Sequence, residues 1–329
     1  MKTYFLTGGE GFIGYHITKK LLEDKGNNVI TYDAQKHYIP FDKSKWAFFQ
    51  GYRIKSLLNE RLIRLRGDCT DFGWLKECIE KYKPEVIIHL AALPIASVSN
   101  DYPTEAKVNI LDSTITLLEV LKTVNFKIDR LIYTSSSMVY GNFLRNEKDE
   151  IIPATEDQIC NPIDIYGAMK LSGEYIVKVY NHRFKIPYTI IRPSAVYGPT
   201  DCNRRVTEIF LTNALEGKKL ILDNGGKHQL DFTYIDDLVE GYILTANSEN
   251  ALNQTFNLTR GKGRQIKDLA EIIGKFLPGT EIIDSNIKPY RPNRGTLDIS
   301  KARGKLGFEP KYDLEKGIQK YFDFMKKFD

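Results

Sequence analysis

An α/β fold, with a doubly wound parallel sheet followed by a smaller C-terminal α/β lobe, is predicted from three observations. Strand-like apolar runs alternate with helical patterns through the first two-thirds of the chain, the order that buries a parallel sheet between two helical layers. A glycine-rich turn follows the first of those runs directly. Beyond Gly198 the alternation loosens into shorter segments punctuated by Gly, Pro and basic residues.

In chain order, strands are expected at Thr3 to Thr7, Asn28 to Tyr32, Leu62 to Arg66, Val86 to Leu90, Arg130 to Thr134 and Tyr188 to Arg192. Helices such as Phe12 to Glu23 and Leu111 to Lys122 separate them. Residues 1–170 form most of the first lobe, segments near 188–198 and 231–260 return to it, and 199–230 with 261–329 form mainly the second. The stretch from Ala34 to Glu60, rich in Lys and aromatics, interrupts the alternation and reads as a surface excursion. With 329 residues, 42% of them hydrophobic, the chain can build a sizeable core, which excludes a disordered or fibrous protein. The formal charge of +5 is spread without a long basic block, so anionic small molecules are favoured and a nucleic-acid footprint is not expected. Cys69, Cys78, Cys160 and Cys202 form no ligand-spaced cluster, so neither a metal site nor a disulfide framework is expected, and the thiols suit a reducing cytoplasm. No apolar stretch has the length of a membrane span.

Gly8, Gly11 and Gly14 leave the first strand and open the first helix, with Phe12 and Ile13 at its start. A tight turn there lets backbone N–H groups and the helix dipole meet a pyrophosphate. Asp33 ends the second strand, in the place where a carboxylate accepts from a ribose 2′-hydroxyl and repels a 2′-phosphate. NAD is therefore expected rather than NADP, and the first lobe becomes a Rossmann domain with a substrate-binding lobe behind it. Asp68, with Cys69 beside it, either faces the adenine or caps the next helix. Ala91 and Ala92 are small either because the cofactor approaches there or because they pack in the core.

Six segments then occur in order: TGGEGFIG at Thr7 to Gly14, HLAA at His89 to Ala92, SSSMVYG at Ser135 to Gly141, YGAMK at Tyr166 to Lys170, RPSAVYGP at Arg192 to Pro199 and DFTYIDD at Asp231 to Asp237. With them the chain resembles, nearly end to end, the extended short-chain dehydrogenase/reductases that act on nucleotide sugars. The resemblance implies Tyr166 as acid/base, Lys170 as its electrostatic partner and ribose contact, and Ser136 as the hydroxyl that orients the reacting oxygen. It also places Asn109 beside the site, unless that residue is an ordinary polar helix position. Tyr166 and Lys170 lie one helical turn apart, so they share a face. A nearby ammonium and the nicotinamide charge are expected to lower a phenol pKa of about 10 toward working pH. His89, Tyr197 and Tyr234 read as packing residues. Homodimerisation is implied through the helical stretches Thr104 to Val124 and Tyr166 to Phe184, with Leu117, Leu118, Leu121, Tyr175, Ile176 and Val179 as the apolar positions, a pattern that burial against the same subunit's sheet accounts for in part.

Dehydratases of this family carry Asp-Glu just before VYG and decarboxylases a Glu, whereas Ser137 and Met138 stand here. What remains is oxidation followed by return of hydride to the other face, a 4-epimerase-like reaction with NAD retained. An NAD-dependent nucleotide-sugar dehydrogenase or keto-sugar reductase would use the same residues. A redox-inactive NAD-binding regulatory module is the alternative from another class, and it has no need of Ser136, Tyr166 and Lys170 together. Leu230 and Ala195 replace the Arg and Asn of many relatives. The candidates to grip a diphosphate in their place are Arg204, Arg205, Arg291 and Arg294, of which Arg205 and Arg294 match the family positions best, each being otherwise a surface arginine.

Overall fold

The computed structural model describes residues 2–37, 43–285, 287 and 291–328. Its first half runs β1 (Lys2–Thr7), α1 (Phe12–Glu23), β2 (Asn27–Asp33), α2 (Lys43–Ser56), β3 (Leu62–Arg66), α3 (Phe72–Tyr82) and β4 (Val86–His89). There follow α4 (Ala96–Asp101), α5 (Pro103–Ala106), a π-helical turn at Lys107–Asp112, α6 (Ser113–Thr123), β5 (Arg130–Thr134), α7 (Ile165–Phe184) and β6 (Tyr188–Arg192). The remainder comprises β7 (Val196–Tyr197), α8 (Val206–Leu215), β8 (Leu220–Leu222), β9 (Gln229–Asp231), β10 (Thr233–Tyr234), α9 (Ile235–Asn247) and β11 (Gln254–Asn257). It ends with β12 (Gly263–Gln265), α10 (Ile266–Phe276), β13 (Ile282–Asp284), α11 (Ser300–Leu306) and α12 (Leu314–Met325).

Seven strands form one parallel sheet in the order β3-β2-β1-β4-β5-β6-β11. The six expected strands are all there; β11 joins them from beyond the region where the alternation loosens. Side chains of β1 alternate between faces: Tyr4 and Leu6 enter the core shared with α1 and the C-terminal helices, while Phe5 enters the core under α3, α6 and α7. Because helices cover both faces, the strands read as nearly continuous apolar runs. Full burial of a side chain such as Phe5 contributes about 2–3 kcal/mol. The strand order reverses direction between β1 and β4, and the pairing of Thr7 with both Tyr32 and His89 brings the carboxyl ends of three strands level. A crevice at that switch point is the expected ligand site of such a sheet.

The stretch Ala34 to Glu60 is a correction. Residues 38–42 lie outside the described ones, and most of α2 is exposed or half-buried, but the helix anchors one edge in the core: Phe49 and Arg53 are buried, and Phe49 stacks on Phe324. Tyr52 packs edge-on against Phe324 and Phe328, and Lys45 pairs with Glu208 of α8. The helix hides in sequence because its buried positions are aromatic or cationic and its weak apolar stripe lies among lysines.

Three small pairings build the second region: β7 with β10 and β8 with β13, both parallel, and β9 with β12, antiparallel. A capping box of Gln265 and Asp268 starts α10, and Asp313 caps α12. Among the described residues no helix is long and apolar enough to cross a membrane.

Candidate active site

At the switch point lies a cleft of about 940 Å³. Its cofactor side is set by backbone. Gly8 sits at φ +68°, and a Cβ there would come within 2.8 Å of the Ala91 nitrogen. A Cβ on Gly14 would lie 2.3 Å from the Gly8 oxygen, so this glycine allows α1 to close on the turn. Gly11 is the N-cap of α1 and offers no side chain to its first N–H groups, which leaves them for a ligand in the cleft. Ala91 both lines the cleft and packs on the core under α3, α6 and α7; its backbone abuts Gly8, and its N–H donates to Thr7 Oγ1 at 3.3 Å.

Asp33 lies at the end of β2, its carboxylate accepting from the Glu10 and Gln35 backbone N–H groups at 3.0 and 2.7 Å. Burial raises its pKa, and those two N–H groups oppose the rise. Asp68 is not the cap of α3; Asp71 is, accepting from the Trp74 N–H. Asp68 instead accepts from the Thr70 N–H and hydroxyl and pairs with Lys36 at 2.7 Å. Burial pushes its carboxyl up, but Lys36 and Thr70 outweigh that and hold it below its ordinary value. Cys69 beside it is buried, and burial pushes its thiol up. Asn109 sits in the π-helical turn, donates to Glu105 and accepts from Lys36 at 3.3 Å. Such a turn re-aims side chains and recurs at functional sites.

The catalytic candidates line the same cleft as the glycines. Tyr166 and Lys170 project from α7, which Asp164 caps by accepting from the Gly167 N–H. Lys170 is 3% exposed, its Nζ donates to the Thr134 carbonyl at 2.7 Å, and it lies 6.0 Å from the Tyr166 ring centroid. Behind it Glu174, fully buried, is held by the Arg192 fork at 2.8 and 2.6 Å and by the Ser135 hydroxyl. That network fixes the exit of β5 against α7. Ser136 leaves β5 with its Oγ accepting from the Met138 N–H.

The expected lowering of the Tyr166 phenol by Lys170 is corrected. Burial raises the phenol above its ordinary value, and what opposes burial is the Arg205 charge and hydrogen bonding to Ser136. Burial also brings Lys170 down to about 7, opposed by Glu174. Burial thus disfavours the charged form of both groups, the tyrosinate as well as the ammonium.

Every predicted site residue lines this one cleft, including Phe12, Ile13, Ala92, Cys69 and the four arginines. They differ in setting. Arg205 pairs with the buried Asp201 at 2.9 Å and lies 6.0 Å over the Phe12 ring. Arg204 is exposed at φ +50°, and Arg291, also exposed, reaches Asp223 at 3.7 Å. Arg294 has a buried Nε without a partner, and burial together with Arg291 lowers it to about 10 against the pull of Asp164. Leu230 is a buried part of the wall, and Ala195 holds a left-handed φ of +38°, a conformation that asparagine tolerates better. His89, as expected, is a satisfied core residue between Thr7 and Thr114 at 2.7 and 3.1 Å.

The apolar helix positions divide. Leu117, Leu118 and Leu121 are buried within the chain's own core, so they are not interface residues, whereas Tyr175 and Val179 are exposed. Sequence reasoning missed Trp46, Arg53, Lys36 and His228, which also line the cleft. The spacing of Trp46, Phe49 and Arg53 is helical and was the available signal; for His228, nothing local gave one.

A family model described as "NAD dependent epimerase/dehydratase family" matches residues 4–259. An uncharacterized UDP-glucose epimerase of Bacillus subtilis is 30% identical over 320 residues, 95% of this chain and 94% of that protein. The crystal structure of a UDP-glucuronic acid 4-epimerase from Bacillus cereus, in complex with UDP-glucuronic acid and NAD, superposes with a TM-score of 0.89 at 29% identity, covering 99% of this chain and 100% of that one. A UDP-N-acetylglucosamine 4-epimerase from Methanobrevibacter ruminantium, in complex with UDP-N-acetylmuramic acid, gives a TM-score of 0.83 at 27% identity, covering 100% and 99%.

Proposed function

The chain belongs to the NAD dependent epimerase/dehydratase family, and from that premise we propose that it is a nucleotide-sugar 4-epimerase that keeps its NAD through each turnover. The carrying observation is the meeting of Ser136, Tyr166 and Lys170 with the glycine turn and Asp33 in one cleft, where Ser137 and Met138 supply no further acid. The cofactor's residues fit it: a turn that no Cβ could enter, uncapped N–H groups at α1 and a carboxylate at the end of β2.

Ser136 and Tyr166 hold the sugar hydroxyl that reacts, and the Tyr166 oxygen takes its proton. Lys170, anchored on the Thr134 carbonyl, is positioned to contact the nicotinamide ribose, while the Arg205 charge and the Ser136 hydrogen bond favour the tyrosinate. Bound NAD would accept the hydride and return it, and its cationic ring would favour the tyrosinate. Reprotonation by Tyr166 of the oxygen on the returned sugar completes an inversion. Residues 1–170 with the later sheet segments act as the cofactor part, and 199–230 with 261–329 as the substrate part. Arg205 and Arg294 are the diphosphate contacts in place of the arginine absent at Leu230. The protein works in the cytoplasm as a homodimer, with Tyr175 and Val179 of α7 in the interface.

Incubation with UDP-, dTDP-, GDP- and CDP-sugars, followed by NMR of the products, tests the reading. Inverted sugar with bound NAD and no net NADH is expected. Steady accumulation of NADH would instead assign a dehydrogenase.

A further inference from the structure

Arg53 of α2 is 4% exposed, yet it lines the cleft beside the glycine turn. Among the described residues it forms no ion pair, whereas Lys45 of the same helix pairs with Glu208, and Arg64 with Glu10. One terminal nitrogen of its fork donates to the Thr200 carbonyl at 3.0 Å, and its Nε is buried without a partner. Its charge acts on Glu10 and Asp33 to one side and on His16 and Cys202 to the other, which brackets the first turns of α1. A guanidinium withdrawn from water is costly unless an anion meets it, and the neighbouring N–H groups of α1 call for an anion as well.

We propose that Arg53 is a side-chain donor to the pyrophosphate of the bound dinucleotide, acting together with the first-turn N–H groups of α1. One terminal nitrogen keeps the Thr200 carbonyl and the other meets a phosphate, a division of contacts that the planar fork allows. The other diphosphate in such a reaction is that of the nucleotide sugar. Arg53 is assigned to the cofactor because its neighbours are Asp33 and Glu10, whereas Arg205 and Arg294 act on Tyr166 and Asp164. Thr200, whose carbonyl it holds, has a left-handed φ of +71° and leads into the loop that carries Arg205, so the same guanidinium also secures the entrance to the substrate side.

This assignment rests on the NAD reading, and the test separates the two. NAD, ADP-ribose and UDP are titrated into the full chain and into R53Q, which keeps a polar link to Thr200 while losing the charge. R53Q is expected to bind NAD and ADP-ribose about 10- to 100-fold more weakly, with a flatter salt dependence, while UDP changes by less than about threefold. R53K, which restores the charge, is expected to recover most of the loss. Failure of the wild-type chain to bind NAD would overturn the functional reading. Wild-type binding with R53Q equal to it for ADP-ribose, or with UDP weakened as much as NAD, overturns only the role of Arg53. A crystal structure of the NAD complex decides the matter even where R53Q does not fold: a phosphate oxygen within about 3.2 Å of Arg53 is expected, and one out of hydrogen-bond reach overturns it.

Discussion

The two ends of the cleft are built by different means. The cofactor end takes its shape from backbone: Gly8, Gly11 and Gly14 succeed one another through the turn after β1 and into the start of α1, and strand register brings Asp33 and Ala91 to them. The substrate end is assembled from side chains that arrive from remote segments, Arg205 from the loop before α8, His228 from the approach to β9, and Arg294 from the stretch after β13. Backbone geometry demands fixed residue types at fixed spacing, whereas a charged rim can be filled from several places. The first end should therefore fail sharply on single changes and the second by degrees.

The largest effect is expected where the two ends meet. Tyr166→Phe removes the proton acceptor, and turnover should fall by about a thousandfold while NAD stays bound, read by NMR of the sugar and by nucleotide released on denaturation. Unchanged turnover would falsify the acid/base assignment. Next, Gly14→Ala forces a Cβ toward the Gly8 oxygen and should cost up to about 3 kcal/mol in denaturant unfolding, with NAD lost on gel filtration. A variant of wild-type stability that retains its nucleotide would show the turn to be more pliant than its geometry implies.

Acid should expose the cofactor end more gradually. Burial holds His89 down at about 3, opposed by no acidic neighbour and reinforced by Lys170. The folded state thus refuses a proton that the unfolded chain binds near 6.5, so stability is full above that pH and declines as pH falls toward 3. The loss from His89 alone should reach about 2 kcal/mol at pH 5, and His89→Gln should flatten the curve of unfolding free energy against pH. An equally steep curve in that variant would place the lability elsewhere. The smallest effect belongs to the rim: Arg294→Ala should raise KM about tenfold, roughly 1.4 kcal/mol, and leave kcat within about threefold. A fall in kcat with constant KM would move Arg294 from binding to chemistry.

The same contrast explains what could be read in the sequence. Six strands, the first helix and every residue of the glycine turn were legible, because buried parallel strands and tight turns leave periodic and compositional marks. Tyr166 and Lys170 were legible through helical spacing together with a motif. β11 lies in the segment near 231–260 expected to return to the first lobe, but it was not legible as a strand, because a four-residue edge strand after a long helix has little pattern of its own. α2 escaped because its buried face is made of Phe49 and an arginine, and the energetics that make Arg53 acceptable there depend on partners distant in sequence. The phenol of Tyr166 was misjudged for a related reason: helical spacing predicts proximity to Lys170, but desolvation, which outweighs it, is a property of the whole cleft. Ala195 shows the opposite case, a lost side chain whose left-handed backbone remains.

The contacts of α2 with Phe324 and Phe328 bear on how the protein is made. Much of the nucleotide end of the cleft is encoded in the first seventy residues, yet α2, the helix that carries Trp46 and Arg53, packs Phe48, Phe49 and Tyr52 on rings from α12 and the turn beyond it. During synthesis that wall can dock on α1 and β3, through Tyr15 with Ser56 and Arg64 with the Ile54 and Leu57 carbonyls, but it gains its aromatic contacts only once Phe324 and Phe328 have been made. A part of the site that is translated early is thus buttressed by residues translated about 270 positions later.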